Sequence, residues 1–431
     1  MDFNYLQVFL TISLPIMGLA YALVGGLKIH LVERLQLDEG KVGKLVGGFG
    51  TMFGPTILLC GFLTDSLGRK GVWLVGSVAV ALAVLIFAKT RTFRGALIAV
   101  LLLGIGWAAQ VNVGNVLMRV AVPPDTTEQD AIKARIAKAE PAAEAGLKKE
   151  LKEAEDHEKR RLVWAANFFD FVFGFGALIT PVMLAVVFRK LGYEKGLVLL
   201  TLICSLPVIM GVFANMGKAP ATTDEVGLSM LLGKPWFWVL GFAFLFFVPL
   251  ETSVGGWATT LVLRNTPKEV PEEQAKKVAS FALTGFWLGF TGSRLIVSIL
   301  GSFGYMTKIL GETNEQRLLL IMAVCCLALM LSIVFLRGRK AAIGAVLLSG
   351  LACGPVFPTM MAVVLLSVPP QMMGRAVGMF FFFASIGWTV IPALIGMVAR
   401  KTDNIQKGFA VASASAAIFL AFVLLRGVML H

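Results

Sequence analysis

The chain has 431 residues, 57% of them hydrophobic and 15% charged, with a mean hydropathy of +0.81. A surface of that composition cannot face water, so a soluble protein is excluded and an integral membrane protein is expected. The formal net charge of +13 sits in loops flanking apolar runs, which points to anionic lipid headgroups as partners and not to nucleic acid.

Runs of about 20 apolar residues suffice to cross a bilayer as helices. Twelve are predicted in chain order, near 6–29, 41–62, 71–89, 95–118, 163–188, 196–216, 236–262, 280–301, 317–336, 340–367, 374–398 and 406–427. The first is too long, and too plainly followed by others, to be a cleaved leader. Lys28 and His30 at its end are expected to snorkel to headgroups.

Between the second and third runs lies GFLTDSLGRKG (61–71), with an acid, three glycines and two bases around a short turn. An Asp ending a span costs little if it meets a helix N-terminus or an arginine, and glycine permits a tight turn and close helix approach. Such a polar contact can be made in one conformation and broken in another. The alternative is a turn whose bases only anchor to headgroups.

The fourth run, GIGWAAQVNVGNVLM (104–118), carries Gln110, Asn112 and Asn115. Asn112 and Asn115 lie one turn apart on a shared face. Amides there either hydrogen-bond a neutral polar ligand or join helix to helix. The one long polar segment follows at 123–161, where Ala, Glu and Lys at helical spacing predict one or two amphipathic helices broken at Pro141. It reads as a solvated insert on the cytoplasmic face, or as a docking element. His157 within it, and His431, carry no sign of catalysis.

In the fifth run Asn167 and Asp170 share a face. An ion in mid-bilayer costs about 2.5–3.5 kcal/mol on insertion scales, so it is expected to be paired, neutralised or turned to a cavity. Arg294 in the eighth run is the natural counter-ion for Asp170, giving either a lock between helices or a coupling-ion contact. Glu251, midway through the seventh run beside Ser253 and the Gly255–Gly256 step, is either a carboxyl that exchanges a proton in step with a ligand or a structural hydrogen-bonding group. Trp107, Trp164, Trp257 and Trp388 are spread over the fourth, fifth, seventh and eleventh runs. Tryptophan stacks on the apolar face of a sugar or anchors at the interface, and Trp257 is the favoured pocket residue. The cysteines Cys60, Cys204, Cys325, Cys326 and Cys353 lie inside apolar runs without metal or disulfide spacing and read as core.

Two short patterns recur six runs apart. Val24–Gly26 repeats as Val254–Gly256, and the spacing Gly176 to Pro181 repeats as Gly387 to Pro392. Parallel six-helix repeats produce this. The expected organisation is four helices in 1–122, the insert 123–161, two helices in 162–218, a linker 219–234, and a second bundle in 235–431. The expected fold class is all-α, with twelve transmembrane helices in two pseudo-symmetric bundles.

Gly61, Asp65, Gly68, Arg69 and Lys70 at this spacing resemble the signature loop of the major facilitator superfamily. The resemblance implies alternating-access transport, a cytoplasmic loop and an N-terminus inside; the loop residues are expected to act as a conformational latch, to which Arg294 is added through its expected pairing with Asp170. The Lys/Arg count does not favour that orientation, since Lys89, Arg91, Arg94, Arg337, Arg339, Lys340, Arg400 and Lys401 then lie in outward loops. A narrower set, PLETSVGGW (249–257), GFWLGFTGSR (285–294), GLACGPVFPT (350–359) and NFFDFVFGFGALITP (167–181), resembles the fucose:proton symporter-like sugar transporters. That group's first-span acid falls near Gly26 here and its fourth-span glutamate has no counterpart, so fucose itself is not implied.

The expected activity is secondary transport of a neutral sugar or polyol, contacted by Gln110, Asn112, Asn115, Asn167, Glu251 and Trp257. Coupling to H+ or Na+ is expected through Glu251 or Asp170. A transporter of an organic anion, drug or lipid is the first alternative, compatible with 32 Phe and 18 Met, and a non-transporting sensor the second. A phosphate-binding loop, metal cluster or nucleophile triad is not found in the sequence, so neither enzyme activity nor a cofactor or metal is expected. The chain is expected to act as a monomer among lipids, in a bacterial inner membrane given the lack of Asn-x-Ser/Thr sites.

Overall fold

A computed structural model describes residues 4–37, 39–123, 125–139, 141–217, 228–310, 314–335 and 337–429. Most of the expected linker, and His431, lie outside them. The described residues form helices and turns only, as lipid demands when every backbone N–H and C=O must be bonded within its own segment. In order these are α1 (Tyr5–Leu35), α2 (Glu39–Ser66), α3 (Arg69–Lys89), α4 (Phe93–Ala121), α5 (Thr127–Ile136), α6 (Pro141–Phe213), α7 (Leu228–Leu232), α8 (Pro235–Arg264), α9 (Glu272–Ser302) and α10 (Tyr305–Leu310). They continue with α11 (Asn314–Phe335), α12 (Arg339–Cys353), α13 (Val356–Ser367), a 3-10 turn (Pro370–Met372), α14 (Met373–Thr402) and α15 (Ile405–Met429).

The twelve predicted spans fall on α1, α2, α3, α4, the two membrane segments of α6, α8, α9, α11, α12 with α13, α14 and α15. Two details differ from the sequence reading. The fifth and sixth spans belong to one 73-residue helical stretch whose only departure from helical geometry is Gly192, at φ 75, a left-handed conformation that glycine alone adopts without strain. That stretch begins inside the polar insert, so the insert's second helix runs straight into the fifth span.

The tenth span, expected as one run, is two helices parted at Gly354. Pro355 ends α12 because it has no N–H to donate and crowds the preceding turn. Pro358 stands four residues after Gly354, where a helix would place the donor for the Gly354 carbonyl. That carbonyl is left without a partner in its own helix.

The helices gather into two halves. In the first, α1 packs on α6, α2 on α4, and α3 on both α4 and α6; in the second, α8 packs on α14 and α15, α9 on α12, and α11 on α15. The halves meet along two principal seams, α2 with α14 and α6 with α9.

Candidate functional site

The α2–α14 seam is a close backbone approach. A Cβ built on Gly61 would lie 2.6 Å from the Gly374 carbonyl oxygen, and one on Gly378 would lie 2.7 Å from that of Ile57. At its end Asp65 accepts hydrogen bonds from the backbone N–H of Gly374 (2.9 Å) and of Arg375 (2.8 Å), and the Arg375 guanidinium stands 3.7 Å away. Asp65 therefore sits on the N-terminus of α14, where a helix presents free N–H groups and the positive end of its dipole. Asn112 belongs to the same contact: its Oδ1 accepts from the Thr64 hydroxyl at 2.8 Å and its Nδ2 donates to the Gly374 carbonyl at 3.0 Å.

Arg69 and Lys70, expected in the latch, do not reach the other half. Arg69 donates to the Met216 carbonyl at 3.2 Å and Lys70 to that of Val212 at 2.6 Å, so they satisfy backbone acceptors at and just beyond the end of α6 within their own half. Gly68, at φ 96, makes the turn that presents them.

Arg294 also lies apart from the Asp65 contact and holds the second seam. Its guanidinium is 3.7 Å from the Asp170 carboxylate, donates to the Asp170 carbonyl at 3.3 Å and lies 4.1 Å from the centre of the Phe290 ring. Its Nε donates at 2.8 Å to the Gly354 carbonyl, the acceptor that Pro358 leaves unserved. Both partners are buried, at 4% and 8% exposure. Nearby, Asn167 donates to Thr359 of the other half at 3.2 Å, and the Trp164 ring occupies the space a side chain at Gly301 would need.

Above these seams, away from the insert, aromatic rings from both halves converge. Tyr21 stacks on Trp107 with centroids 5.0 Å apart. Phe53 lies 4.9 Å from Trp107 and 6.0 Å from Trp388, and Trp388 completes the group 6.3 Å from Tyr21. Glu251 of α8 lies within electrostatic range of Tyr21, Arg294 and Asp170. Two polar atoms here are buried without a partner, the Nε1–H of Trp107 and Oε2 of Glu251; Oδ1 of Asn167 is a third. Buried polar atoms are nearly always bonded, so these orphaned atoms are candidates for a bound ligand or water.

The other expected contacts are directed elsewhere. Gln110 donates to the Ser77 hydroxyl of α3 at 2.9 Å, Asn115 donates to the Val111 carbonyl of its own helix at 2.9 Å, and Trp257 packs on α14 at Gly396. Of the six side chains expected at the substrate, Glu251, Asn167 and Gln110 each keep a buried oxygen without a partner, although the Gln110 amide is turned to α3. Tyr21 and Phe53 were missed, because nothing in an apolar run marks which ring faces the centre.

The chain superposes along 98% of its length on a crystal structure of a major facilitator transporter, the fucose:proton symporter FucP in an outward conformation, with 17% identity, a TM-score of 0.69 and 99% of that chain covered. The fold is that of the major facilitator transporters. A variant of the E. coli fucose:proton symporter aligns over the same shares of both chains, at 17% identity and a TM-score of 0.71. The human organic anion transporter MFSD10 aligns at 15% identity and a TM-score of 0.68, over 98% of this chain and all of that one. No family model and no curated protein sequence matches the chain. On the major facilitator fold, α2, α14, α6 and α9 carry most of the contacts between halves here, joined by α4 and α13, and the insert leaves from the side on which those contacts are made.

Proposed function

We propose that the chain is a secondary transporter for a small neutral sugar or polyol, working by alternating access between its two halves. The observations that carry this reading are the stacked pair Tyr21 and Trp107, the unpartnered Trp107 donor and the unpartnered Glu251 acceptor. A hydroxyl both accepts and donates, so one polyol can serve both atoms while its C–H face lies on the rings. An organic anion would need a free cation, and Arg294 is already engaged by Asp170 and the Gly354 carbonyl. The hydrogen bonds described between the halves fall on the insert side. With the insert in the cytoplasm, this state opens outward. Glu251, next to the ion pair, is the group whose proton couples transport to a gradient.

Uptake into proteoliposomes tests this, with labelled neutral sugars in one arm and amphiphilic anions in the other. Trp107→Phe keeps the ring and removes the donor, and is expected to raise the sugar KM about tenfold, the worth of one good hydrogen bond. Glu251→Gln is expected to abolish uptake driven by a proton gradient while leaving sugar exchange intact. Uptake of the anions alone, or gradient-driven uptake unchanged in Glu251→Gln, overturns the reading.

A further inference from the structure

The corner between α13 and α14 lacks caps of its own. Leaving α13, the chain turns extended at Val368 and enters Pro369 and Pro370, so the two positions that would serve the Leu365 and Leu366 carbonyls carry no N–H. At the other end Met372, the N-cap of α14, makes no side-chain capping bond. Both ends are completed from the opposite half. Asp65 of α2 accepts from the first N–H groups of α14. Arg119, in the last turn of α4, donates to the carbonyls of Leu365 and Val368, the latter at 2.9 Å, and lies 3.8 Å from the Met373 sulfur.

An anion on a helix N-terminus and a cation on a helix C-terminus each match the local dipole. Here the two charges act on adjoining helix ends, and Asn112 holds the Gly374 carbonyl between them. We propose that Arg119 is the second pole of the gate: with Asp65 it positions the α13–α14 corner and sets the balance between the open states. When the halves part on the insert side, both helix ends lose their caps together, so the two residues act as one device. Arg119 also stands two residues before the end of α4, and the turn that follows is tied to the insert by Arg161 on the Pro123 carbonyl and by Glu158 on the Asp125 N–H.

The inference rests on the transporter reading only for its effect on uptake; the conformational balance can be measured without substrate. Spin labels are placed at Arg91→Cys and Lys401→Cys, exposed positions of the two halves on the side away from the insert, in a background with the native cysteines replaced. In the parent the long label distance of the open side is expected to dominate. Arg119→Gln is expected to shift the population toward the short distance about tenfold, Asp65→Asn similarly, and the double variant little beyond either. Arg119→Lys, which keeps the charge without the fork, is expected to lie between parent and Arg119→Gln. In uptake assays the shift appears in KM more than in kcat. A label distance in folded Arg119→Gln, Arg119→Lys and Asp65→Asn equal to that of the parent overturns the proposal, as do additive effects in the double variant. Altered distances together with no sugar uptake in the parent leave the gate standing and sink the sugar reading alone.

Discussion

The two seams between the halves occupy comparable places and are built from different chemistry. Along α2–α14, glycine lets backbones touch, and the charge at the end, Asp65, lies on helix N–H groups beside a turn. Along α6–α9, an ion pair buried on both sides holds the helices, with Arg294 also serving the carbonyl at the break of the tenth span. Shape complementarity responds to volume, whereas a buried ion pair responds to charge. The first seam is thus suited to fixing how the halves fit, and the second, under the proposed function, to responding to a proton at Glu251.

Breaking the comparison on its charged side gives the largest expected effect. Asp170→Asn or Arg294→Gln alone strands a buried charge and is expected to destabilise by about 3–5 kcal/mol, whereas the double substitution recovers most of the loss. Thermal unfolding in detergent checks this, and single variants that melt with the parent would show that the pair is not a structural tie. On the packed side, Gly61→Ala drives a methyl into the Gly374 carbonyl and is expected to cost about 1–3 kcal/mol. Gly50→Ala in the same helix meets nothing within 4 Å and is expected to be neutral or to stabilise by up to about 1 kcal/mol. Equal melting temperatures for these two variants would remove the close-approach account. The smallest effect sharpens the site: Gln110→Leu, directed at Ser77, is expected to change the sugar KM less than about twofold, and a larger change would return Gln110 to the binding surface.

Much of this was legible in the residues. Hydropathy alone located the twelve crossings, and the cost of an acid at a span end required that Asp65 meet a helix terminus or an arginine; it meets both. The partner itself was hidden, since Gly374 lies 309 residues away and no local pattern pairs them. The break at Gly354 was visible as two prolines, but averaging over an apolar run conceals it. The amides misled for a different reason. Helical spacing fixes which side chains share a face, but not whether that face turns to a neighbouring helix, as for Gln110, or to the centre. Arg119 looked like any base at the end of a span, because helix ends in need of caps are a property of the other half.

The unbroken helix from Pro141 to Gly192 carries one last implication. Its polar part, residues 141–161, is about 30 Å long at 1.5 Å per residue and continuous with a core helix of the first half. Under the proposed transport cycle any rocking of that half is amplified at the tip, which makes the projection a natural pointer: a fluorophore or antibody fragment fixed there would report the motion without touching the parts that do the work.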